Sequence, residues 1–112
     1  RREFESWWEV ELDSAYPIKS IVVWNRKDAG GDNRAYCAAP FWIFVTDEPL
    51  ATARLNESKK MSICAALVNG DDEKIVWKMP PNLVGKCVRV QVEGVKSLQL
   101  AQVEVLKGAL DM

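Results

Sequence analysis

The sequence is dominated by a two-residue alternation of apolar and polar side chains, which is clearest near its C-terminal end. Between Lys86 and Glu93 the apolar phase is entirely valine, at Val88, Val90 and Val92. The opposite phase consists of Cys87, Arg89, Gln91 and Glu93. Because successive side chains of a β-strand point to opposite faces, this segment predicts a strand with one valine-lined face.

Similar short segments recur along the chain, separated by residues that favour turns. The predicted strands are residues 7–12, 18–24, 41–46, 62–68, 74–79, 86–93 and 98–106. Residues 18–24 are apolar in both phases, so we expect this strand to lie centrally, covered on both faces. Residues 50–61 have no clean period and have room for one turn of helix. Strands without intervening crossover helices predict an all-β fold, an antiparallel β-sandwich of the jelly-roll kind.

The longest segment between predicted strands is a polar loop at residues 26–40, with Gly30 and Gly31 at its middle. Glycine permits backbone conformations that other residues avoid, so this loop has freedom to take an irregular path. Long loops carried by rigid scaffolds often contain binding residues. We therefore expect the function of the domain to reside at this rim of the sandwich.

Composition and charge exclude several classes of function. The 112 residues suit a single domain, with 48% hydrophobic and 28% charged residues. Fifteen basic and sixteen acidic residues leave a net charge of -1, so we expect no nucleic-acid partner. No apolar run approaches the roughly 20 residues of a transmembrane helix, and no segment resembles a signal peptide. Since the chain starts at Arg1, we expect it to be part of a longer protein.

The chain contains no histidine, which removes the most common general base and zinc ligand. We therefore expect no catalytic residues and do not expect an enzyme. Cys37, Cys64 and Cys87 lie in apolar surroundings without metal-ligand spacing, which favours small buried side chains in a reduced, intracellular protein. The alternative is a secreted protein with a bridge between Cys37 and Cys64, in which Asn56 would be a glycosylation site.

Four motifs in order along the chain carry a family resemblance. They are Trp-Trp-x-Val-x-Leu from Trp7, Ile-x-x-Ile-Val-Val-Trp-Asn-Arg-x-Asp from Ile18, Gly-x-x-Val-Arg-Val-Gln-Val-Glu-Gly from Gly85, and Leu-x-Leu-Ala-Gln-Val-Glu-Val from Leu98. The chain resembles the discoidin, or coagulation-factor C-type, domain with its galactose-binding-like fold. It looks most like the fucose-binding F-type lectin branch. The resemblance implies a sandwich over residues 7–108 that lacks the family's N-terminal part, flanked by residues 1–6 and a tail at 109–112.

The resemblance also implies a set of ligand contacts in the long loop. Arg26 and Asp28 match the family's Arg-x-Asp, and Arg34 stands one residue away from a second basic position. Ala29 and Gly30 occupy the place of a cysteine pair that packs against the sugar, and no histidine is present for the remaining contact. Two arginine side chains could hold vicinal hydroxyls or a carboxylate. Alternatively, Arg26 pairs with an acid of its own loop and only shapes it.

Calcium is the one cofactor that the resemblance raises. Family members that bind it use backbone oxygens and a carboxylate near the start of the last strand, where this chain has Ala101 and Gln102. Because calcium prefers charged oxygen ligands, the neutral Gln102 predicts weak calcium binding or none. We expect Glu104 to point into solvent.

Five tryptophans offer aromatic surface, and four of them are expected in the core. These four are Trp8, Trp24, Trp42 and Trp77. Trp7 is out of phase with Trp8, so it faces the other way, toward a ligand, a partner or the missing N-terminal segment. It is therefore the fourth candidate binding residue, beside Arg26, Asp28 and Arg34.

Together these features favour a non-catalytic interaction module of a larger protein or assembly. We expect it to contact a protein neighbour through its rim loops and an open sheet edge, in the cytoplasm, with a cytoskeletal or other large assembly as one setting. The alternative is a lectin-like domain that binds a fucose- or galactose-type sugar, which fits an extracellular setting.

Overall fold

The computed structural model describes residues 3–25, 40–69, 73–96 and 100–108. Its elements are β1 Glu3–Phe4, β2 Trp7–Asn25, β3 Phe41–Thr46, α1 Leu55–Met61, β4 Cys64–Val68, β5 Lys74–Lys78, β6 Val84–Val92, β7 Val95–Lys96 and β8 Leu100–Lys107. Every strand pairing is antiparallel. The all-β antiparallel sandwich that the alternation predicts is confirmed, as is the short helix within residues 50–61.

One strand, β2, belongs to both halves of the sandwich. Its first part, from Trp7, pairs with β6, and the four-stranded half has the order β4-β3-β6-β2. Its second part, from Ile18 to Asn25, lies between β5 and β8. Residues 18–24 therefore form the expected central strand, with Ile21, Val22 and Val23 all buried.

The turn predicted at residues 13–17 is wrong, because the strand continues through it. The pairing of β2 with β6 shifts register between Glu11 and Tyr16 and resumes with Tyr16 opposite Gly85 and Pro17 opposite Val84. A proline cannot donate a backbone hydrogen bond, and irregular positions in a sheet are where proline is tolerated. This shift lies where β2 passes from one half of the sandwich to the other.

The core fills the space between the two halves and is made of aliphatic and aromatic side chains. Its buried members are Ile18, Ile21, Val23, Phe41, Ile43, Val45, Val88, Val90 and Val92. The three valines of the alternating segment all face this core, as the sequence predicts. Trp77 packs against it, together with Val103 and Val105 of β8.

Gly85 occupies a position that leaves no room for a side chain. A Cβ there would overlap Cγ1 of Val45 and come within 3.3 Å of Cδ1 of Ile18. Both neighbours belong to the buried core, so neither moves away easily. Close approach of β2, β3 and β6 at the passage between the halves therefore requires glycine here.

We expect Gly85→Ala to lower the free energy of unfolding by about 1–3 kcal/mol, because it overpacks the core. Removing the two methyl groups of Val45 opens the space that the new methyl group needs. In chemical denaturation, the loss in Gly85→Ala/Val45→Ala should therefore be smaller than the sum of the losses in the two single variants. Additive losses would contradict this account.

Candidate functional site

The described residues on either side of the rim loop are held by backbone hydrogen bonds, whereas Arg26, Asp28 and Arg34 lie outside the described residues. Asn25, the last residue of β2, is buried, and its backbone N–H donates to the carbonyl of Glu73 at 2.9 Å. At the other end, the carbonyl of Pro40 accepts from the N–H of Glu93 at 3.3 Å, just before β3 begins. Arg26 is therefore the next residue in the sequence after a strand end that is held by a hydrogen bond.

Trp24 lies beside this rim, on the outer face of the three-stranded half. Its indole Nε1 donates to Oε1 of Glu104 at 2.8 Å, and Nζ of Lys74 lies 5.1 Å from its ring centroid. The prediction that Trp24 is a core residue is wrong, because Ile21 and Val23 take the inward phase of the strand. Glu104 lies on the same outer face, is half-buried and accepts this indole N–H.

Two other tryptophans predicted in the core also lie elsewhere. Trp8 is 37% exposed, at the edge of the four-stranded half. Trp42 is half-buried, donates its indole N–H to Oε1 of Glu93 at 2.6 Å, and has Nζ of Lys59 4.4 Å from its ring centroid. The ring faces of Trp24 and Trp42 meet cations and their N–H groups meet carboxylates, which suits aromatic side chains at a surface.

Trp7 presents an aromatic face supported from beneath. The residue is 41% exposed, and its ring centroid lies 4.1 Å from Cζ of Arg89. Arg89 itself has no exposed surface, so its guanidinium forms a fixed base for the indole. Of the four predicted binding residues, Trp7 alone falls within the described part of the chain.

Arg89 is held by a buried network that sequence reasoning missed. Its Nε donates to Oε1 of Glu9 at 3.0 Å, its Nη1 donates to the carbonyl of Ala53 at 3.2 Å, and its Nη2 donates to the carbonyl of Ala51. Burial lowers the pKa of the guanidinium, and the Glu9 carboxylate acts in the opposite direction. The arginine thus joins the sheet to the segment that precedes α1.

Gln91 extends the same network toward the helix. Its Nε2 donates to the carbonyls of Glu5 and Ala53, each at 3.1 Å, while its Oε1 accepts from the hydroxyl of Ser58 at 2.8 Å. The carboxylate of Glu5 accepts the N–H of Leu55 at 2.7 Å, at the start of α1. The polar face of β6 is therefore covered by α1 and the segment before it, rather than by water.

Glu9 and Glu11 show how differently two acids of one strand can be placed. The sequence predicts both on a solvent-exposed face. The Glu9 side chain is only 9% exposed and also accepts the backbone N–H of Leu50 at 2.9 Å, so the prediction is wrong for Glu9. Glu11 is 48% exposed and pairs with Lys86 at 3.3 Å, as a surface residue would.

The start of the last strand, where the resemblance implies calcium ligands, has no cluster of acidic side chains in the described part of the chain. Gln102 is an exposed, neutral side chain opposite Trp24 in the β2–β8 pairing, and the side chain of Ala101 is not described. Glu104 is already engaged by Trp24. Within residues 3–25, 40–69, 73–96 and 100–108, no three His, Cys, Asp or Glu side chains are grouped to hold a metal ion. Calcium dependence therefore stays a prediction.

Two of the cysteines can be described, and both carry free thiols. Cys87 is buried and Cys64 is half-buried, and burial raises the pKa of each thiol. The position of Cys37 lies outside the described residues. Of the elements in the described ranges, none is a helix with the length and apolar character that crossing a bilayer requires.

Two curated relatives are similar to the chain in sequence. Fucolectin-4 of Anguilla japonica is 27% identical over 99 residues, and fucolectin-3 of the same species is 29% identical over 102 residues. These matches cover 88% and 89% of this chain but 51% of each relative. The chain thus spans about half the length of the curated relatives it matches. No family model matches it.

Solved structures share the fold. A fucose-binding module of Streptococcus pneumoniae matches with a TM-score of 0.66 and 22% identity, over 96% of this chain and 72% of that one. The lectin domain of lectinolysin, solved with Lewis B antigen, matches with a TM-score of 0.70 and 20% identity, over 96% and 68%. The chain therefore has the galactose-binding-like β-sandwich of these modules, as predicted. The finer discoidin assignment stays a prediction.

We expect Glu9→Ala to lower the free energy of unfolding by about 3–5 kcal/mol, because it leaves Arg89 buried without its carboxylate. Glu11→Ala is the matched control, two residues away on the same face of the same strand. Loss of its exposed pair with Lys86 should cost about 0–1 kcal/mol. Urea unfolding followed by circular dichroism measures both, and equal losses would show that Arg89 does not need its partner.

Proposed function

We propose that this chain is a non-catalytic carbohydrate-binding domain that takes a fucose-type sugar at the rim loop. One observation carries the proposal: the fold matches fucose-binding modules over 96% of the chain, and the Arg26-x-Asp28 motif follows directly after the anchored end of β2. The named relatives are fucolectins, which points the same way. The sugar-binding alternative is therefore preferred to the protein-interaction module that the sequence favoured.

Arg26 and Arg34 have the chemistry that a sugar site needs. A guanidinium presents several donors in a fixed plane and can bind two neighbouring hydroxyls at once. Asp28 can accept from a third hydroxyl or orient an arginine. Asn25, which precedes Arg26 in the sequence, is buried and its backbone N–H is hydrogen-bonded, so the strand end before the motif needs no ordering on binding.

Trp7 supplies the remaining element of the proposed function, an aromatic surface for the apolar face of a sugar ring. Its other side rests on the buried guanidinium of Arg89, so the indole needs little ordering when a ligand arrives. A cation beneath an indole also fixes the ring plane. Trp7 and the rim arginines could serve one extended glycan or two separate sugars.

The proposed site lacks two contacts that the resemblance implies. The chain has no histidine, and Ala29-Gly30 stands in place of the cysteine pair. We therefore expect weaker binding than a complete site of this type would give, with most of the specificity carried by the arginines. A sugar ligand also suits the extracellular alternative better than the cytoplasmic one.

We expect Arg26→Ala and Arg34→Ala each to weaken binding of fucose or Lewis B by about 10- to 100-fold, because each removes charge-assisted hydrogen bonds. Arg54→Ala is the control, since Arg54 is an exposed arginine that contacts Phe4 instead. Titration calorimetry, with and without calcium, measures the affinities. Unchanged affinity in both rim variants, with folding intact, would overturn the proposal.

Trp7→Ala separates stacking on a sugar from packing on Arg89. If the indole contacts the ligand, Trp7→Ala weakens binding by about 10-fold, while Trp7→Phe retains most of it. Thermal unfolding of the same variants reports the loss of the Arg89 contact independently. A fall in stability with unchanged sugar affinity would assign Trp7 a purely structural role.

A second candidate function, docking of a protein segment, is favoured by one edge of the sheet. In the described part of the chain, the first part of β2 pairs with β6 on one side and with no strand on the other. Trp7 and Trp8 are both exposed there. An unpaired strand edge can add a strand from another chain. Trp8→Lys should abolish such a contact and leave sugar affinity unchanged, which a binding assay with the full-length protein would test.

A further inference from the structure

A groove lies on the three-stranded half of the sandwich, at the end opposite to Asn25. It is bounded by the start of the second part of β2, by the Pro80-Pro81 segment and by the end of β8. We call it the corner groove. Its lining includes Ile18, Lys19, Met79, Leu83 and Lys107. Its volume of about 590 Å³ falls within the range of small-molecule sites.

The walls of the corner groove are tied together by backbone hydrogen bonds. The N–H of Ile18 donates to the carbonyl of Leu83 at 3.0 Å, and the N–H of Met79 donates to the carbonyl of Lys19 at 3.0 Å. On the third side, the N–H of Gly108 donates to the carbonyl of Pro17 at 2.9 Å. Two consecutive prolines further restrict the backbone. The groove is therefore largely formed before any ligand arrives.

The charged residues among the described lining of the groove are both basic. Lys19 and Lys107 are exposed, and no acidic residue belongs to the part of the lining that the structure describes. The nearby acid, Asp13, accepts the hydroxyl of Tyr16 at 2.6 Å, and this bond is the main cause of its lowered pKa. Nζ of Lys107 lies 3.6 Å from the centroid of the Tyr16 ring, which gives the ammonium a preferred position.

Apart from the polar side chain of Asn82, the remaining side chains of the described lining are apolar. Ile18 is buried, Met79 and Leu83 are half-buried, and the prolines add further carbon surface. Two cations beside a carbon-lined wall complement a ligand that has one anionic group and a compact apolar body. A bare inorganic anion would leave the apolar wall unused, and a neutral apolar molecule would leave the lysines without a partner.

We propose that the corner groove binds a small amphiphilic anion, with its carboxylate or sulfate group at Lys19 and Lys107 and its body on Met79, Leu83 and the adjoining prolines. The site is independent of the proposed sugar site. Ile18 and Asn25 are seven residues apart on β2, which in a strand corresponds to roughly 23 Å. Ligands could therefore occupy the rim and the corner groove together.

Octyl sulfate is the probe, used below its micelle concentration with the full chain. Octyl tetraethylene glycol ether is an uncharged control with the same octyl tail, and inorganic sulfate is a control that has the anionic group without the tail. We expect octyl sulfate to bind about tenfold more tightly than either, with affinity falling as salt is added. In nuclear magnetic resonance spectra, the shifted amide signals should cluster at Lys19, Leu83 and Gly108.

Lys19→Ala/Lys107→Ala should weaken octyl sulfate binding by about tenfold, while Lys60→Ala, on the exposed side of α1, should leave it unchanged. If the double variant folds poorly, Lys19→Ala alone is the test, because it keeps the Lys107–Tyr16 contact. Its loss of affinity for octyl sulfate should be smaller than that of the double variant. Equal affinity for the neutral ether, unchanged affinity in these groove variants, or amide shifts spread over the whole surface would each overturn the proposal. Fucose affinity should be unaffected in every variant.

Discussion

The architecture depends on β2, a single strand of 19 residues that is shared by both halves of the sandwich. Its first part pairs with β6, and its second part pairs with β5 and β8, so neither half is complete without it. The register shift between Glu11 and Tyr16 turns the strand from one half to the other, and Gly85 permits the close approach that this requires. Both proposed ligand sites adjoin the second part of β2, one at each end.

The sequence predicts the strands well because a half-buried strand must alternate, and the valines of β6 leave little choice of inward face. It predicts less well which outward faces are covered. Arg89 and Gln91 occupy the polar phase of β6 yet have no exposed surface, because α1 and the segment before it lie over them. That covering depends on contacts distant in sequence, which periodicity does not encode. Periodicity likewise predicts a core position for Trp24, because it does not show that this phase of the strand faces outward.

The candidate sugar-binding residues come from the resemblance and not from the residue pattern alone. Arg26, Asp28 and Arg34 of the rim loop lie outside the described residues, so their role stays a prediction. The conformation of such a loop depends on contacts that no local pattern specifies. The two-residue phase predicts that Trp7 faces away from Trp8, but nothing near it in the sequence indicates a buried arginine 82 positions away beneath its ring.

The contacts between Arg89 and the segment before α1 affect how far the sequences of proteins with this fold can diverge. Two of its bonds end on main-chain carbonyls, those of Ala51 and Ala53, which every amino acid possesses. These two hydrogen bonds therefore depend on where the backbone of that segment lies and not on which side chains it carries. Related chains could exchange almost every residue there while keeping the same trace, provided that the arginine and its acid remain. Alignments would then find the covering segment among the least similar parts of the domain, even where its course is unchanged.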